Sequence, residues 1–274
     1  MVSNIPLLRE NLKRAQQQAI SGYSLRSSPD ALLENLCKNV DHTLQQIWKL
    51  SQLPREVSLI AVGGYGRGEL FPHSDVDVLI LLPASPDKNT AGKLENLIQS
   101  LWDIGLDIGH SVRTVDECLN EAASDITIQT SMLEARYICG SRKLFRELQQ
   151  RYADAMNPQK FFQEKLLEMQ QRHVKYEDTP YSLEPNCKES PGGLRDLQVI
   201  LWVAKAANLG NSWHELAVRG LITETEARQL KRNERAFKDI RIRLHNHTKR
   251  REDRLVFDVQ TPIAESLGFK TTES

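Results

Sequence analysis

Asp75 and Asp77, one residue apart, head an apolar run, VLILL, where charge has no structural reason to sit. Alternate side chains of a strand share a face, so both carboxylates point the same way, their Cα atoms roughly 7 Å apart. Two carboxylates so placed repel by a few kcal/mol at a mid-range dielectric. A fold tolerates this where a cation sits between them, and for oxygen donors magnesium is the usual candidate. After Gly63 and Gly64 and a spacer of ten residues comes this acid pair. Glycine offers amides that approach phosphates without a Cβ in the way, and Arg67 stands where it can add charge to that contact. A phosphate-receiving turn beside a magnesium-holding acid pair indicates phosphoryl or nucleotidyl transfer. The bland alternatives are a ligand-free strand-to-helix turn and a solvated Asp-x-Asp. The turn is not a Walker loop, because no Gly-Lys-Ser/Thr closes it. In Gly64-Tyr65-Gly66-Arg67-Gly68-Glu69 the last glycine also comes one residue early for a dinucleotide fingerprint.

A second candidate segment is Glu184–Asp196. Pro191-Gly192-Gly193 leads directly into a helix, so its amides and the positive helix end are expected to be free toward the turn, flanked by Lys188 and Arg195. Such a segment completes a nucleotide pocket or contacts a protein substrate. A hinge between two domains explains it as well. Asp196 falls in the first helical turn, where it answers the helix dipole.

The elements that must position these groups are legible in the hydrophobic spacing. Val57–Val62 reads as a buried strand running into the glycines, Val76–Leu82 as a second, and residues 106–114 as a third. On that third strand Ile108, His110 and Val112 share one face, with His110 expected in the core; Asp107, Gly109, Ser111 and Arg113 share the other. Helices are expected from Pro29 to about Leu50, from about Thr90 to Trp102, and after Thr114, which with Glu117 forms a capping box. Beyond about Gly140 the strand signal fades. Helices follow over Arg142–Tyr152, Pro158–Tyr176, Leu194–Asn208 and from Glu224 to about Arg251. An α/β half therefore precedes an all-helical half.

Composition narrows the function class. The chain has 274 residues, 40% hydrophobic and 26% charged, with Lys+Arg 36 balancing Asp+Glu 36. No global field draws in nucleic acid. The basic stretch 245–254 carries its own acids and no aromatics, and reads as a solvated helix end; His245 and His247 would face different sides and are not read as ligands. The four cysteines, Cys37, Cys118, Cys139 and Cys187, lack metal-ligand spacing and suit reduced thiols. No apolar run is long enough to span a membrane and the start turns charged too early for a signal peptide. A soluble cytoplasmic protein with neither nucleic-acid nor membrane partners is expected.

The string GGYGRGELFPHSDVDVLIL (63–81) resembles the nucleotidyltransferase superfamily that includes DNA polymerase beta. Within it, the chain looks like the bacterial protein-PII uridylyltransferases, with LWDIGLDIGHSVRT (101–114), LEPNCKESPGGLRDLQ (183–198) and RLVFDVQTPIAESLG (254–268) in agreement. The likeness runs from roughly residue 30 to 268. It implies an α/β (α+β) nucleotidyltransferase fold with a small mixed sheet, followed by an all-α domain. The divisions expected are an N-terminal helical segment over 1–55, a catalytic core over 56–141 and a helical domain over 142–274. It also implies two Mg2+ ions on Asp75 and Asp77, with Asp107 as candidate third ligand. The nucleotide would contact Gly63, Gly64, Arg67, Lys188, Gly192, Gly193 and Arg195. UTP would be the donor and a tyrosine hydroxyl of the PII signalling protein the acceptor. Members of that family are much longer, with a phosphohydrolase domain that removes the uridylyl group and glutamine-responsive sensing domains; neither is expected within these 274 residues. An adenylyltransferase acting on another protein, and a nucleotide-binding module without turnover, are the alternatives.

Overall fold

The computed structural model describes residues 4–176, 178–179 and 181–270. They form two compact units. The first runs up to Tyr23 and adds Ala31–Leu70 and Ser74–Ala155; the second comprises Ser24–Asp30, Phe71–His73 and the chain from Met156 onward.

The first unit contains α1 (Ile5–Ser21), most of α2 (Pro29–Ser51), β1 (Ser58–Ala61), the single turn α3 (Gly63–Gly66) and β2 (Val76–Leu82). After these come α4 (Lys88–Asp103), β3 (Ile108–Thr114), α5 (Val115–Ser124), α6 (Ile126–Leu133), β4 (Arg136–Gly140) and α7 (Arg142–Ala155). The four strands make one mixed sheet in the order β3-β2-β1-β4. β1 pairs antiparallel with β2 and with β4, whereas β2 and β3 are parallel. A parallel pair needs a crossover, and α4 supplies it. Every residue of β1 is buried, and in β2 only Asp77 escapes full burial. That burial explains why these two strands read as continuous apolar runs. Leu33, Leu36, Val40, Leu44 and Ile47 of α2 are all buried in this unit.

The sequence does not announce β4: of RYICG only Ile138 is buried, and its pairing with β1 carries a bulge at Leu59/Ile60. His110 also departs from expectation. β3 is an edge strand, so its face is incompletely covered, and His110 is exposed with its ring edge-on to Trp102 at 5.6 Å. Both capping boxes form, at Thr114/Glu117 and Thr223/Glu226.

The second unit is helical: α8 (Pro158–Lys175), α9 (Leu194–Ala206), α10 (Trp213–Val218), α11 (Glu224–Thr248) and α12 (Phe257–Ser266). One cluster joins Trp213, Leu216, Ala204 and Ala227, and another joins Cys187, Leu244, Val259 and Ile263. The end of α11 is not simply solvated. His245 is 0% exposed, with Nδ1 on the Pro72 carbonyl and Nε2 3.1 Å from Asp253. Arg241 donates to the same carboxylate at 2.6 Å and lies over the Phe71 ring at 4.0 Å. Among the described residues no helix is long and apolar enough to cross a membrane.

Candidate active site

The site begins where β1 ends. The ladder between β1 and β2 closes at Ala61↔Val78, and one residue further the Val62 N–H donates to the Asp77 carbonyl at 3.0 Å. This bond brings the glycine turn up against the acid strand. The turn closes as one helical turn, Gly66 N–H to Val62 and Arg67 N–H to Gly63, at 2.9 and 3.0 Å. Gly66 permits that closure by packing: a Cβ there would overlap the Glu134 carbonyl and lie 2.8 Å from that of Ala61. A Cβ on Gly64 would have room, its nearest neighbour being the Glu69 carbonyl at 3.6 Å. The first amides of a helix have no acceptor inside it, and those of Gly63 and Gly64 donate to no other group among the described residues.

Asp75 is exposed just before β2, and Asp77 is half-buried within it. Their spacing of two is the one that strand alternation keeps on one face, although Asp75 stands one residue ahead of the paired strand. The β2/β3 register then sets Asp77 beside Gly109, and Asp107 offers its carbonyl to the Val76 N–H at 2.8 Å. Asp107 is therefore next to Asp75 in the sheet, with an exposed side chain ahead of the first paired residue of β3. Among the described residues no three His, Cys, Asp or Glu side chains converge as a metal-holding group, so the structure does not draw Asp107 together with the pair. Two carboxylates with that spacing, beside glycines that leave space around them, nonetheless suit a hard divalent cation, which binds oxygen donors and keeps part of its water shell.

Arg67 occupies a different place from the one its position suggests. Its Nε lies 2.7 Å from Glu69, and its Nη1 lies 2.6 Å from both oxygens of the buried Glu134. Burial works against its charge, but Glu69 and Glu134 outweigh it and hold the guanidinium protonated. The side chain thus ties the glycine turn to the end of α6 with its charge already matched. Tyr65, the remaining large side chain of the turn, is 2% exposed, and its hydroxyl donates to Asp41. Asp41 is gripped in turn by Arg136 at 2.7 and 3.0 Å. Burial and the Asp41 charge push the Tyr65 phenol well above its ordinary value, so it anchors and does not titrate. Asp41, Glu69, Glu134 and Arg136 form a support that motif reading overlooked.

The thiols do not enter the chemistry. Burial pushes Cys37, Cys139 and Cys187 up to about 12 and Cys118 up to about 11, leaving them neutral at physiological pH. A cavity in the first unit, bordered by Ile5, Arg9, Ile47, Leu97 and Asp103 among others, contains none of the paired acids.

Lys188, Gly192, Gly193 and Arg195 belong to the second unit, and there the expected free amides are taken. Gly192 N–H donates to Asp196 Oδ2 at 2.7 Å and Gly193 N–H to the Ser190 carbonyl at 2.9 Å. Leu194 and Arg195 N–H donate to the Cys187 and Lys188 carbonyls at 3.0 and 2.8 Å. The charges are matched too. Glu189 meets Lys188 at 3.3 Å and Arg195 at 3.2 Å, while Asp196 accepts from Arg172 at 2.6 Å. Arg195 also lies over Trp202, 5.1 Å from the ring centre. Burial, with Arg195 and Arg241 nearby, lowers the Lys188 ammonium from its ordinary value.

Residues 42–126 match the family of nucleotidyltransferase domains, and residues 160–274 match the GlnD PII-uridylyltransferase family. By these matches the chain is similar to nucleotidyltransferase domains over its sheet-containing part and to PII-uridylyltransferases over its helical part. More narrowly, its relatives are described as uridylyltransferases. It is 57% identical over 97% of its length to the bifunctional uridylyltransferase/uridylyl-removing enzyme of Cupriavidus metallidurans. Its identity to the proteins of the same description from Bordetella avium and Burkholderia thailandensis is 52%, over 97% and 96% of the chain. The chain spans 31% of the length of each of these relatives.

Proposed function

We propose that this chain transfers UMP from UTP to a tyrosine hydroxyl of a PII signalling protein in the cytoplasm, releasing pyrophosphate. The observation that carries the reading is the Asp77 carboxylate on β2, set between Gly63 and Gly109, with Asp75 exposed two residues ahead of it. Asp75 and Asp77 would hold Mg2+, which when bound lowers the pKa of an attacking hydroxyl and neutralises charge on a departing phosphate chain. The amides of Gly63 and Gly64 receive the triphosphate, and the rigid turn holds it for in-line attack. Arg67 serves by fixing the turn through Glu69 and Glu134. Asp107 is kept as a third oxygen donor, brought in from the adjacent strand end. Lys188, Gly192, Gly193 and Arg195 form a lock within the helical unit. The uridylyltransferase names of the relatives support UMP over AMP as the transferred group.

Mass spectrometry of PII incubated with the chain, Mg2+ and UTP or ATP tests donor, acceptor and turnover together. A mass increase of one UMP on a tyrosine is expected with UTP only. Asp75→Asn and Asp77→Asn should each lower the rate at least about 100-fold, since even outer-shell changes at metal sites cost 10–100-fold. Unchanged transfer in both variants would refute the assignment. An AMP adduct would favour protein adenylylation, and UTP binding with no adduct a module without turnover.

A further inference from the structure

We propose that Gly109 sets where the Asp77 carboxylate stands, making it a positioning residue for the metal-holding acid; this rests on the role given above to Asp75 and Asp77. Glycine weakens a strand interior and needs a reason there. Backbone conformation is not the reason, because Gly109 is absent from the positive-φ glycines. Close approach is the remaining one. Register places Gly109 beside Asp77 in the parallel pair. A Cβ on Gly109 would overlap Asp77 Oδ1 and lie 3.5 Å from its Cγ, with nothing else within 4 Å. On the other side, a Cβ on Gly63 would lie 3.4 Å from Oδ2. The carboxylate thus fills the volume that a side chain at 109 would take, and Gly63 closes off the opposite side.

The consequence differs from an ordinary glycine clash. At Gly66 an added methyl meets backbone carbonyls, which cannot move without the turn moving. At Gly109 it meets only the far end of one side chain, which can swing away. The strand should therefore accept alanine, while the carboxylate is driven out of the position it shares with Asp75. Folding survives and cation binding does not.

The test uses the full chain with Mn2+ as the probe, followed by electron paramagnetic resonance, beside thermal melting. Gly109→Ala should melt within a few degrees of the parent and bind Mn2+ at least about tenfold more weakly. Gly92→Ala, in open space on α4, serves as the control: Mn2+ binding should be unchanged and melting should rise slightly, since alanine favours the helix over glycine. In the double variant Gly109→Ala/Asp77→Ala, Mn2+ binding should be no weaker than in Asp77→Ala alone, and melting should match that single variant. Parent-like Mn2+ affinity in Gly109→Ala would overturn the proposal. So would a melting loss that removing the Asp77 carboxylate does not restore, since the collision would then be with the backbone. Mn2+ binding that survives both Asp75→Asn and Asp77→Asn would instead refute the underlying site, a separate and recognisable failure.

Discussion

Two glycine pairs stand at helix starts in this chain, Gly63-Gly64 opening α3 and Gly192-Gly193 just before α9, and in the sequence each has the look of a phosphate cradle. Their amides go to different places. Those of Gly63 and Gly64 meet no acceptor among the described residues, and the strand beside them carries Asp77. From Gly192 through Asp196 every N–H has an acceptor within the segment: Asp196, Ser190, Cys187, Lys188 and Gly193 in turn. A helix start binds an anion only with amides that are not already bonded. The same glycine signature therefore leaves open amides in one unit and a self-satisfied knot in the other. Amide accounting separates them, where composition does not.

The largest effect expected is the loss of transfer in the Asp75 and Asp77 variants. Next come the glycines whose absent Cβ touches backbone. Gly66→Ala should destabilise the chain by about 3 kcal/mol, the upper range for overpacking, because two carbonyls face the methyl. Gly193→Ala, with the Ser190, Lys188 and Cys187 carbonyls at 2.9, 3.0 and 3.1 Å, should cost less, about 1–2 kcal/mol. Chemical denaturation measures both. Equal losses would mean the two turns are equally tight.

Acid should act on the knot. The folded pKa values of Asp196, Glu189 and Asp253 are all lowered: burial opposes this, but Arg172 and His173 at Asp196, Arg195 and Lys188 at Glu189, and His245 and Arg241 at Asp253 outweigh it. A depressed carboxylate stabilises the fold above its unfolded pKa, about 4, and that contribution is lost as pH falls through the folded value. Melting temperature should therefore fall steadily below about pH 4. Asp253→Asn should lower it at pH 7 and flatten the acid slope. An unaltered slope in that variant would remove Asp253 from the account.

What the sequence reveals follows from how local each signal is. β2 is legible residue for residue because it is apolar and closed by Pro83 and Pro86, and the capping boxes need only a spacing of three. The support of the turn is not local. Arg67 and Glu134 are 67 residues apart, and Arg136 and Asp41 are 95 apart, so no motif contains either pair. β4 is hidden because an edge strand with one fully buried residue carries little periodicity. The relation of Gly109 to Asp77 exists only once the β2/β3 register is fixed.

The smallest effect tests the comparison most sharply. Gly192 has φ +76° and open space around its missing Cβ, so alanine there meets no neighbour and suffers only left-handed strain. That strain is about 1 kcal/mol for a non-glycine residue. If the segment is a lock whose amides are internally bonded, Gly192→Ala lowers stability by that amount and leaves KM for UTP within about twofold, a change of about 0.4 kcal/mol. If phosphates reach those amides, a methyl in the open space blocks them and KM rises tenfold or more, as it should for Gly64→Ala. Steady-state kinetics on the two variants, run side by side, therefore asks which glycine pair a triphosphate touches.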